Sequence, residues 1–388
     1  MATVALSGII TPTNVVTATS TTTLTNKTLT APTIASANLT TALTLAGAAG
    51  TNGQVLTSAG SGLPSWTTIS SSPAIVRSAR TSNTILAADD AGKLIDITSG
   101  TFSQTFTAAA TLGSGWFVYL RNSGTGDITL DPNASELIDG LTTYIMYGGE
   151  TRLVQCNGSA FTSVVLSPFY KTFTASGTFT KPPGYSCFGG LLWAGGGSGR
   201  KNSAAATKAG GAGGACAPFQ FPAVSLDATQ SVTIGAGGIG ITANATNGNV
   251  GGTSTFFTVS AYAGTQATAT AGAGGSAYIS GLSTTSEPVI GGGVFGSNAV
   301  RAYLGGAGSV TEAGFTTVTV YGGAAGGGLD GEGTASTSTT VFGGAGGAAS
   351  AGSSGAAGSA PGGGGGATGS GATSGAGGAG ELRIWGIA

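Results

Sequence analysis

Hydrophobic and polar residues alternate along most of the chain in short runs, and turn-forming residues separate these runs. Between residues 94 and 166 five runs are rich in β-branched and aromatic side chains: LIDIT (94–98), WFVYLRN (116–122), DITLD (127–131), TRLVQC (151–156) and FTSVVL (161–166). Short strands spaced roughly ten residues apart are typical of antiparallel sandwiches and barrels. We therefore predict a β-sandwich-like domain over residues 73–168, and no helix longer than one turn in the whole chain.

Residues 1–72 are rich in threonine, serine and alanine and have a weaker pattern. Alternation is visible at Thr23-Leu24-Thr25 and Leu43-Thr44-Leu45, and β-branched threonine favours an extended backbone. Turn signals such as Ala31-Pro32 cut the segment into pieces with too few large side chains to bury a core. The segment is either a disordered leader or an extended stalk whose core is shared between chains, and its low charge favours the stalk.

Residues 169–388 alternate strand-like pieces with glycine runs, as in CFGGLLWAGGG, SVTIGAGGIG and TTVTVYGG. The last glycine run, PGGGGGATGSGATSGAGGAG, is followed at once by ELRIWGIA. This apolar ending has the composition of a strand, because it combines β-branched, aromatic and leucine side chains. We predict that Leu382–Trp385 pairs with an early strand such as Leu191–Trp193 and closes a glycine-rich domain.

Composition indicates that the glycine runs are ordered. Glycine accounts for 74 of 388 residues, yet charged residues make up only 7%, the net charge is −1 and the mean hydropathy is +0.29. Disordered chains combine low hydrophobicity with high net charge, and this chain has neither. Ordering a residue costs about 1–2 kcal/mol, and the stretch from Gly333 to Gly380 has few large side chains to offset that cost. The main chain must therefore pack against itself, as polyproline II segments without Cβ atoms can do. Since collagen's strict Gly-X-Y period is absent, we expect polyproline II packing within one chain.

Charge and cysteine content limit the classes of partner. The lysine and arginine residues are scattered, so no basic groove for nucleic acid is expected. Cys156, Cys187 and Cys216 lack metal-binding spacing and are interpreted as small buried hydrophobic residues. The N-terminus MATVALSGIITPTNVV has no basic leader and no long apolar core, so neither a secretory signal nor a transmembrane helix is expected. We expect synthesis in the cytoplasm.

Candidate catalytic chemistry is sparse. The chain has no histidine, which excludes Ser-His-Asp and Cys-His catalysis and histidine metal sites. A glycosidase needs two carboxylates about 5–9 Å apart. Asp330 and Glu332 would share one face of a strand, but a solvated turn is the preferred interpretation. A calcium pair formed by Asp127 and Asp131 is likewise disfavoured against turns. We expect no catalytic residue, no metal site and no cofactor.

Binding is the favoured activity, because recognition sites combine rigid aromatic side chains with a few polar neighbours. Such residues lie in the segments between the glycine runs. The candidate receptor-binding residues are Tyr278, Phe295, Arg301, Tyr303, Phe315 and Asp330. For each aromatic residue the alternative is that it fills the domain interior. Trp193 and Trp385 are assigned to the core, and Trp66 and Trp116 are interpreted as packing residues.

Several segments resemble known proteins. The stretch ILAADDAGKLIDITSG…GSGWFVYLRNSGTGDITLDPNASELIDG…GGETRLVQCNGSAFTSV resembles a β-domain of tailed-phage fibres, and TNKTLTAPTI and GTNGQVLTSAGSGLPSW resemble phage-fibre shaft sequences. FTASGTFTKPPGYSCFGGLLWAGGGSG, SVTIGAGGIG, GGTSTFF and the final GELRIWGIA are similar to the glycine-rich domain at the tips of phage tail fibres and adhesins.

The resemblance implies a homotrimeric fibre in the virion, attached to the phage tail by its N-terminus. It also implies a tip built as a sandwich of polyproline II helices, whose loops recognise a protein or polysaccharide receptor on the host. The resulting prediction is an all-β chain with a trimeric fibrous stalk at 1–72, the sandwich-like domain at 73–168 and a glycine-rich tip at 169–388.

Three alternatives remain open. One is a purely structural virion protein, with recognition by another protein. Another is a bacterial surface adhesin, which the missing signal peptide disfavours. The third is a tailspike depolymerase, which is disfavoured because the long parallel β-helix strands of that class are absent.

Overall fold

The structure, a computed structural model, describes most of the chain from residue 74 onward and short pieces before it. The described residues are 44–45, 48–58, 64–68, 74–203, 207–269, 271–272, 277–279, 301–302, 309–310, 316–329, 337–369 and 373–388. The chain divides into two units, residues 1–74 and residues 75–388. The longest α-helix among the described residues is the single turn α1, Ala109–Leu112, and no described helix has the length and apolarity needed to cross a bilayer.

The first unit contains two antiparallel strand pairs. Their strands are β1 (Thr44–Leu45), β2 (Ala48–Ala49), β3 (Gln54–Thr57) and β4 (Ser65–Thr68), with β1 paired to β2 and β3 to β4. Trp66 packs over Gly50, where an added Cβ would lie 2.6 Å from the indole ring. Trp66 is therefore a packing residue of this unit.

The second unit begins with two sheets that enclose a hydrophobic core. Its strands are β5 (Arg77–Arg80), β6 (Leu94–Ile97), β7 (Phe102–Thr105), β8 (Phe117–Asn122), β9 (Ile128–Asp131), β10 (Tyr144–Met146), β11 (Thr151–Cys156) and β12 (Phe161–Ser167). One sheet has the order β12-β11-β8-β6-β5 and the other the order β10-β9-β7. Ile95, Val118 and Val154 from the first sheet are fully buried in one cluster with Ile128 and Met146 from the second.

The five predicted strands of this region are all present, but the expectation of purely antiparallel pairing is wrong. Strands β5, β6 and β8 are parallel, as are β7 and β9. The reason is that the chain alternates between the two sheets from β6 to β9. A strand that returns to its sheet after such a crossover runs in the same direction as its predecessor. Trp116 is buried in the core, as predicted for a packing residue.

A buried polar network joins this sandwich to the glycine-rich part. Arg152 and Glu150 are completely buried, and Arg152 Nε donates to Glu150 Oε1 at 2.6 Å. Arg152 also donates to the carbonyl of Pro183 at 2.6 Å, and the hydroxyl of Tyr185 donates to Glu150 at 3.0 Å. Tyr147 inserts its ring beside Phe179 of the glycine-rich part, 5.7 Å between centroids. The Arg152–Glu150 pair and the ring of Tyr147, which all belong to the sandwich, therefore contact residues of the glycine-rich part directly.

The glycine-rich part contains short strands. They are β13 (Tyr170–Phe173), β14 (Gly177–Thr180), β15 (Cys187–Trp193), β16 (Cys216–Pro222), β17 (Thr229–Thr233), β18 (Ser254–Phe256), β19 (Val259–Ala261), β20 (Ala271–Gly272), β21 (Ala277–Ile279), β22 (Arg301–Ala302), β23 (Ser309–Val310), β24 (Thr316–Thr319), β25 (Thr337–Thr340) and β26 (Glu381–Ile387). Together with the sheets of the sandwich they make the described chain an all-β protein.

The C-terminal strand is an inner strand of a sheet with the order β13-β26-β15-β16. Leu382 lies opposite Leu192 and Arg383 opposite Leu191, which confirms the predicted closing pair. A second sheet has the order β14-β17-β18-β19-β21, and a parallel sheet the order β22-β24-β25. An aromatic core of Phe179, Phe188, Phe219 and Phe256 is buried with Leu192 and Ile384 between the first two sheets.

Candidate binding surface

Hydrogen bonds between the glycine runs recur at every third residue. The N–H of Gly211 donates to the carbonyl of Gly365, and three residues later the N–H of Gly214 donates to Gly362, both at 2.8 Å. A step of three is the period of polyproline II, which has three residues per turn and no internal hydrogen bonds. Each run therefore directs successive peptide groups to different neighbouring runs. We call this array of hydrogen-bonded runs, the described residues within 194–215, 235–252, 264–267, 322–329 and 343–380, the glycine bundle.

The run 194–200 lies at the centre of the glycine bundle. Its peptide groups exchange hydrogen bonds with six neighbouring segments, at 209–215, 238, 249–252, 264–267, 365–368 and 375–378. Every residue from Leu192 to Lys201 is buried. At Gly195, Gly196 and Gly197 an added Cβ would lie 2.1–2.2 Å from a carbonyl oxygen of a neighbouring run, which explains three consecutive glycines there.

In three runs the number of glycines per three residues falls as exposure rises. Residues 362–366 are five consecutive glycines, and all five are buried. Residues 343–348 read Gly-Gly-Ala twice, and the third residue of each triplet, Ala345 and Ala348, is exposed. In residues 355–360 only Gly355 and Gly358 are partly covered, and the other residues are exposed. The buried run 209–215 also has two glycines per turn, and its three alanines are completely buried, so depth alone does not set the number of glycines.

The bundle uses glycine for close approach rather than for unusual backbone angles. An added Cβ at Gly364 would lie 2.0 Å from the carbonyl oxygen of Gly211, and one at Gly365 would lie 2.0 Å from that of Gly375. Among the described glycines from 195 to 380, only Gly362 has a left-handed φ, of +76°. The remaining glycines hold angles that other residues also adopt, so side-chain volume alone excludes those residues. The result is a scaffold that fixes the ends of its connecting segments.

An aromatic pair marks the place where two parallel strands enter the bundle. Strands β24 and β25 are each followed by an aromatic residue and two glycines, and the rings of Tyr321 and Phe342 stack 4.9 Å apart. Trp193 Nε1 donates to the carbonyl of Tyr321 at 2.5 Å. Phe342 is 49% exposed and its neighbour Val341 64% exposed. The pair, with Val341, therefore presents an apolar surface where the two strands end.

The structure describes the backbone of only two of the six candidate receptor-binding residues. Tyr278 lies in β21 opposite Ser260, and Arg301 lies in β22 opposite Val318. Phe295, Tyr303, Phe315 and Asp330 lie outside the described residues. The receptor-binding role of all six stays a prediction.

Among the described residues, two stacked aromatic pairs with an exposed member were not among the predicted binding residues. The first is the Tyr321–Phe342 pair, and the signal that would have revealed it is the repeat TVYGGA…TVFGGA, in which each aromatic precedes two glycines. The second is Tyr170, which is 52% exposed and stacks on Trp385 at 6.4 Å with the rings nearly parallel. Trp193 is fully buried, as predicted, whereas Trp385 is only partly buried.

A cavity of about 420 Å³ lies beside Tyr170, Lys171 and Thr172, and its other lining residues are Gly124, Thr125, Gly148 and Gly149. Lys171 Nζ contacts the carboxylate of Asp127 at 2.6 Å. The carboxylate of Asp127 is therefore paired with the ammonium group of Lys171. This pairing gives no support to a calcium site formed by Asp127 and Asp131. No group of three metal-binding side chains occurs among the described residues.

The three cysteines are free thiols. Cys156 and Cys216 are buried as predicted, and burial raises the pKa of Cys216, which keeps it protonated. Cys187 is only partly buried.

Comparison with known proteins agrees with this architecture. A family described as a glycine-rich domain matches residues 172–384, which is more than half of the chain. The match covers the aromatic core, the glycine bundle and most of the sheet β13-β26-β15-β16. No curated protein matches the chain. The protein is therefore a member of the glycine-rich domain family.

Proposed function

We propose that this protein is a bacteriophage tail fibre, a virion component that attaches to the tail by its N-terminus and binds the host surface through its glycine-rich tip. The observation that carries the proposal is the enclosure of run 194–200 by six neighbouring segments. A scaffold with so little freedom can present connecting segments without ordering them at the moment of binding, which lowers the entropic cost of recognition.

The sequence inserts its candidate binding residues between runs of this scaffold. Residues 270–315 connect the run ending near residue 269 to β24, and residues 330–336 connect Leu329 to β25. Tyr278, Phe295, Tyr303 and Phe315 supply aromatic faces, and Arg301 and Asp330 supply charge. Such a set suits a protein or polysaccharide receptor on the cell surface. In this proposal the protein binds without turnover.

We further propose a homotrimer, in keeping with a fibre. The outer face of the five-stranded sheet has an apolar row in which Leu153 lies opposite both Val164 and Tyr119. Val164 is 60% exposed and Phe117, on the same face, is 37% exposed. Packing of this face against other copies would bury the row. Sedimentation should give three times the chain mass of 36.8 kDa for the full-length protein; a monomer would contradict this part of the proposal.

The test is adsorption of the labelled full-length chain to a panel of bacterial strains, measured by flow cytometry. We expect saturable binding to a subset of strains, and a loss of binding in the double variant Tyr303→Ala/Phe315→Ala. The matched control is Tyr262→Ala, because Tyr262 is a 42% exposed tyrosine of the tip outside the inserted segments. Binding to no strain would favour a purely structural fibre protein. Release of oligosaccharides from host glycans would favour a depolymerase.

A further inference from the structure

The cavity beside Tyr170 lies at the free edge of a sheet. Strand β13 is the outermost strand in the order β13-β26-β15-β16, so only one of its edges pairs with another strand of that sheet. The cavity lies between β13 and two turns of the sandwich, which contribute Gly124, Thr125, Gly148 and Gly149. Its volume of about 420 Å³ falls within the range of about 300–1,000 Å³ that is typical of small-molecule sites.

Tyr170 gives this cavity an aromatic wall. Tyr170 and Trp385 lie opposite each other on neighbouring strands, and their rings are parallel within 6° at a centroid distance of 6.4 Å. Because Trp385 covers one face of the Tyr170 ring from the side of β26, the other face is directed toward the free edge of β13. Tyr170 is 52% exposed. A ring held in place by a second ring is a rigid apolar surface on which a flat ligand can stack.

The free edge of β13 also supplies backbone hydrogen-bonding groups. The N–H of Tyr170 points to this edge, because it donates to the carbonyl of Gly148 at 3.2 Å. In an antiparallel strand the backbone groups of alternate residues point to the same edge, so the N–H and C=O of Thr172 also point there. Thr172 is exposed and lines the cavity. Its backbone therefore offers a donor and an acceptor to a ligand.

A charged pair supplies further polar groups without adding net charge. Lys171 lines the cavity, and its Nζ contacts both carboxylate oxygens of Asp127, at 2.6 and 2.8 Å. The two side chains are 21% and 32% exposed, so solvent and ligands can reach them. This pair uses two of the three ammonium protons, and the third is available to a ligand oxygen. Because Asp127 neutralises the ammonium group, the pair favours hydroxyl groups over a charged ligand.

Buried contacts fix the two turns that face β13. Asn122 is 1% exposed, and its Nδ2 donates to the carbonyl of Gly126 at 2.8 Å and to that of Met146 at 3.0 Å, so one side chain braces both turns. The turns approach so closely that an added Cβ at Gly148 would lie 2.8 Å from the carbonyl oxygen of Gly124. The cavity is therefore preformed, which lowers the entropic cost of binding.

We infer that this cavity binds a neutral pyranose sugar, which stacks on Tyr170 and places hydroxyl groups at the backbone of Thr172 and at the Lys171–Asp127 pair. A pyranose has a face of C–H groups and a rim of hydroxyl groups, and the cavity offers a partner to each. An added peptide strand fits less well, because β13 has only four residues and the N–H of Tyr170 is already bonded. The sugar is either a residue of a host-surface glycan, which rests on the proposed function, or a free saccharide, which does not.

The site is tested with the methyl pyranosides of glucose, galactose, mannose and N-acetylglucosamine, each titrated into the full-length protein and followed by saturation-transfer NMR. We expect saturable binding of at least one glycoside, with the strongest transfer to the C–H protons of one ring face. Tyr170→Ala should weaken this binding about fivefold or more, whereas Tyr170→Phe keeps the ring and should change it by less than about twofold. The matched control is Tyr262→Ala, because Tyr262 is a 42% exposed tyrosine that does not line the cavity, and it should leave the affinity unchanged.

Lys171→Met provides a second variant of the site. It removes a hydrogen-bond donor and should weaken binding of the same glycoside about threefold or more. Urea unfolding verifies that each variant is folded. Absence of saturable binding by the wild type, or equal binding by Tyr170→Ala, overturns the inference. A lower sedimentation mass of Tyr170→Ala, with no glycoside bound by the wild type, assigns the cavity to a contact between copies of the chain and overturns it as well.

Cell adsorption then distinguishes the two sources of the sugar. Weaker adsorption of Tyr170→Ala, together with competition by the bound glycoside, identifies a residue of a host glycan. Unchanged adsorption with lost glycoside binding identifies a free saccharide. Failure of the wild type to adsorb to any strain would contradict the proposed function and leave the glycoside result standing.

Discussion

Replacing one central glycine by alanine tests whether bare main chain holds the bundle together. At Gly364 an added Cβ would lie 2.0 Å from the carbonyl oxygen of Gly211, and the clashing atom belongs to the backbone of a buried run. Relief requires a shift of more than 1 Å, because real contacts of this kind lie beyond about 3 Å. That shift disturbs two hydrogen bonds of 2.8 Å, from Gly364 to Ala324 and from Gly347 to Gly364.

The magnitude follows from these two contributions. Overpacking of a close-packed interior costs about 1–3 kcal/mol, and each weakened hydrogen bond costs about 1 kcal/mol. We therefore expect Gly364→Ala to lower the free energy of unfolding by roughly 3–5 kcal/mol. The assay is urea unfolding followed by tryptophan fluorescence, since Trp193 and Trp385 lie in the sheet that adjoins the bundle.

Gly352→Ala is the matched control. An added Cβ there meets nothing within 4 Å, and the backbone is not left-handed. Alanine at such a position should be neutral or stabilise by about 0.4–1 kcal/mol, because it restricts the unfolded chain. Equal unfolding midpoints for the two variants would refute the close-packing argument.

Three further predictions concern the rest of the second unit. Arg152→Met leaves Glu150 buried without its cation and should lower stability by about 3–5 kcal/mol. Arg121→Gln removes a side chain that is 51% exposed and lies 4.0 Å from Asp96, which keeps its closer partner Arg77, so it should cost less than about 1 kcal/mol. A similar small loss in both urea curves would count against the buried network. Deleting residues 381–388 removes β26, an inner strand of its sheet, and should abolish the cooperative urea unfolding transition of the tip. A retained transition would show that β26 is not needed for the fold of the tip. Burial opposes ionisation of Asp96, but hydrogen bonds from Ser123 and Arg77 outweigh it and hold the pKa below the ordinary value of 3.8. This carboxylate therefore stabilises the fold at pH values above 3.8, and the stabilisation is lost as the pH falls through the lowered pKa. When the free energy of unfolding is measured against pH, Asp96→Asn should reduce its decrease at acidic pH. An unchanged decrease would contradict the assignment.

Strands with strong hydrophobic patterns could be predicted from the sequence. The runs at 94–98, 116–122, 127–131, 151–156 and 161–166 all coincide with strands. The closing pair was predictable because an apolar octapeptide after a glycine run has few other places to pack. Local pattern and burial agree in these segments.

Strand β5 was not predicted, because its sequence RSAR has no β-branched or aromatic residue. It is held by long-range contacts instead, as Arg77 pairs with Asp96 and Arg80 with the buried Asp90. The parallel pairing of β5, β6 and β8 was missed for a similar reason. Pairing direction depends on which sheet each strand enters, and a single strand's pattern does not contain that information.

Polyproline II packing in the glycine bundle could be predicted from composition, but the three-residue period of its runs could not. The period is local, and the chain as a whole lacks a strict Gly-X-Y repeat. The Gly-Gly-Ala triplets at 343–348 and in the run 209–215 show this period locally.

Hydrogen exchange of the full-length protein, read by mass spectrometry over residues 343–369 and 373–380, tests the central claim most directly. The account predicts slow exchange in these glycine runs, comparable with that of strands β15 and β26, because their N–H groups donate to neighbouring runs. Exchange at the rate of an unstructured peptide would contradict it.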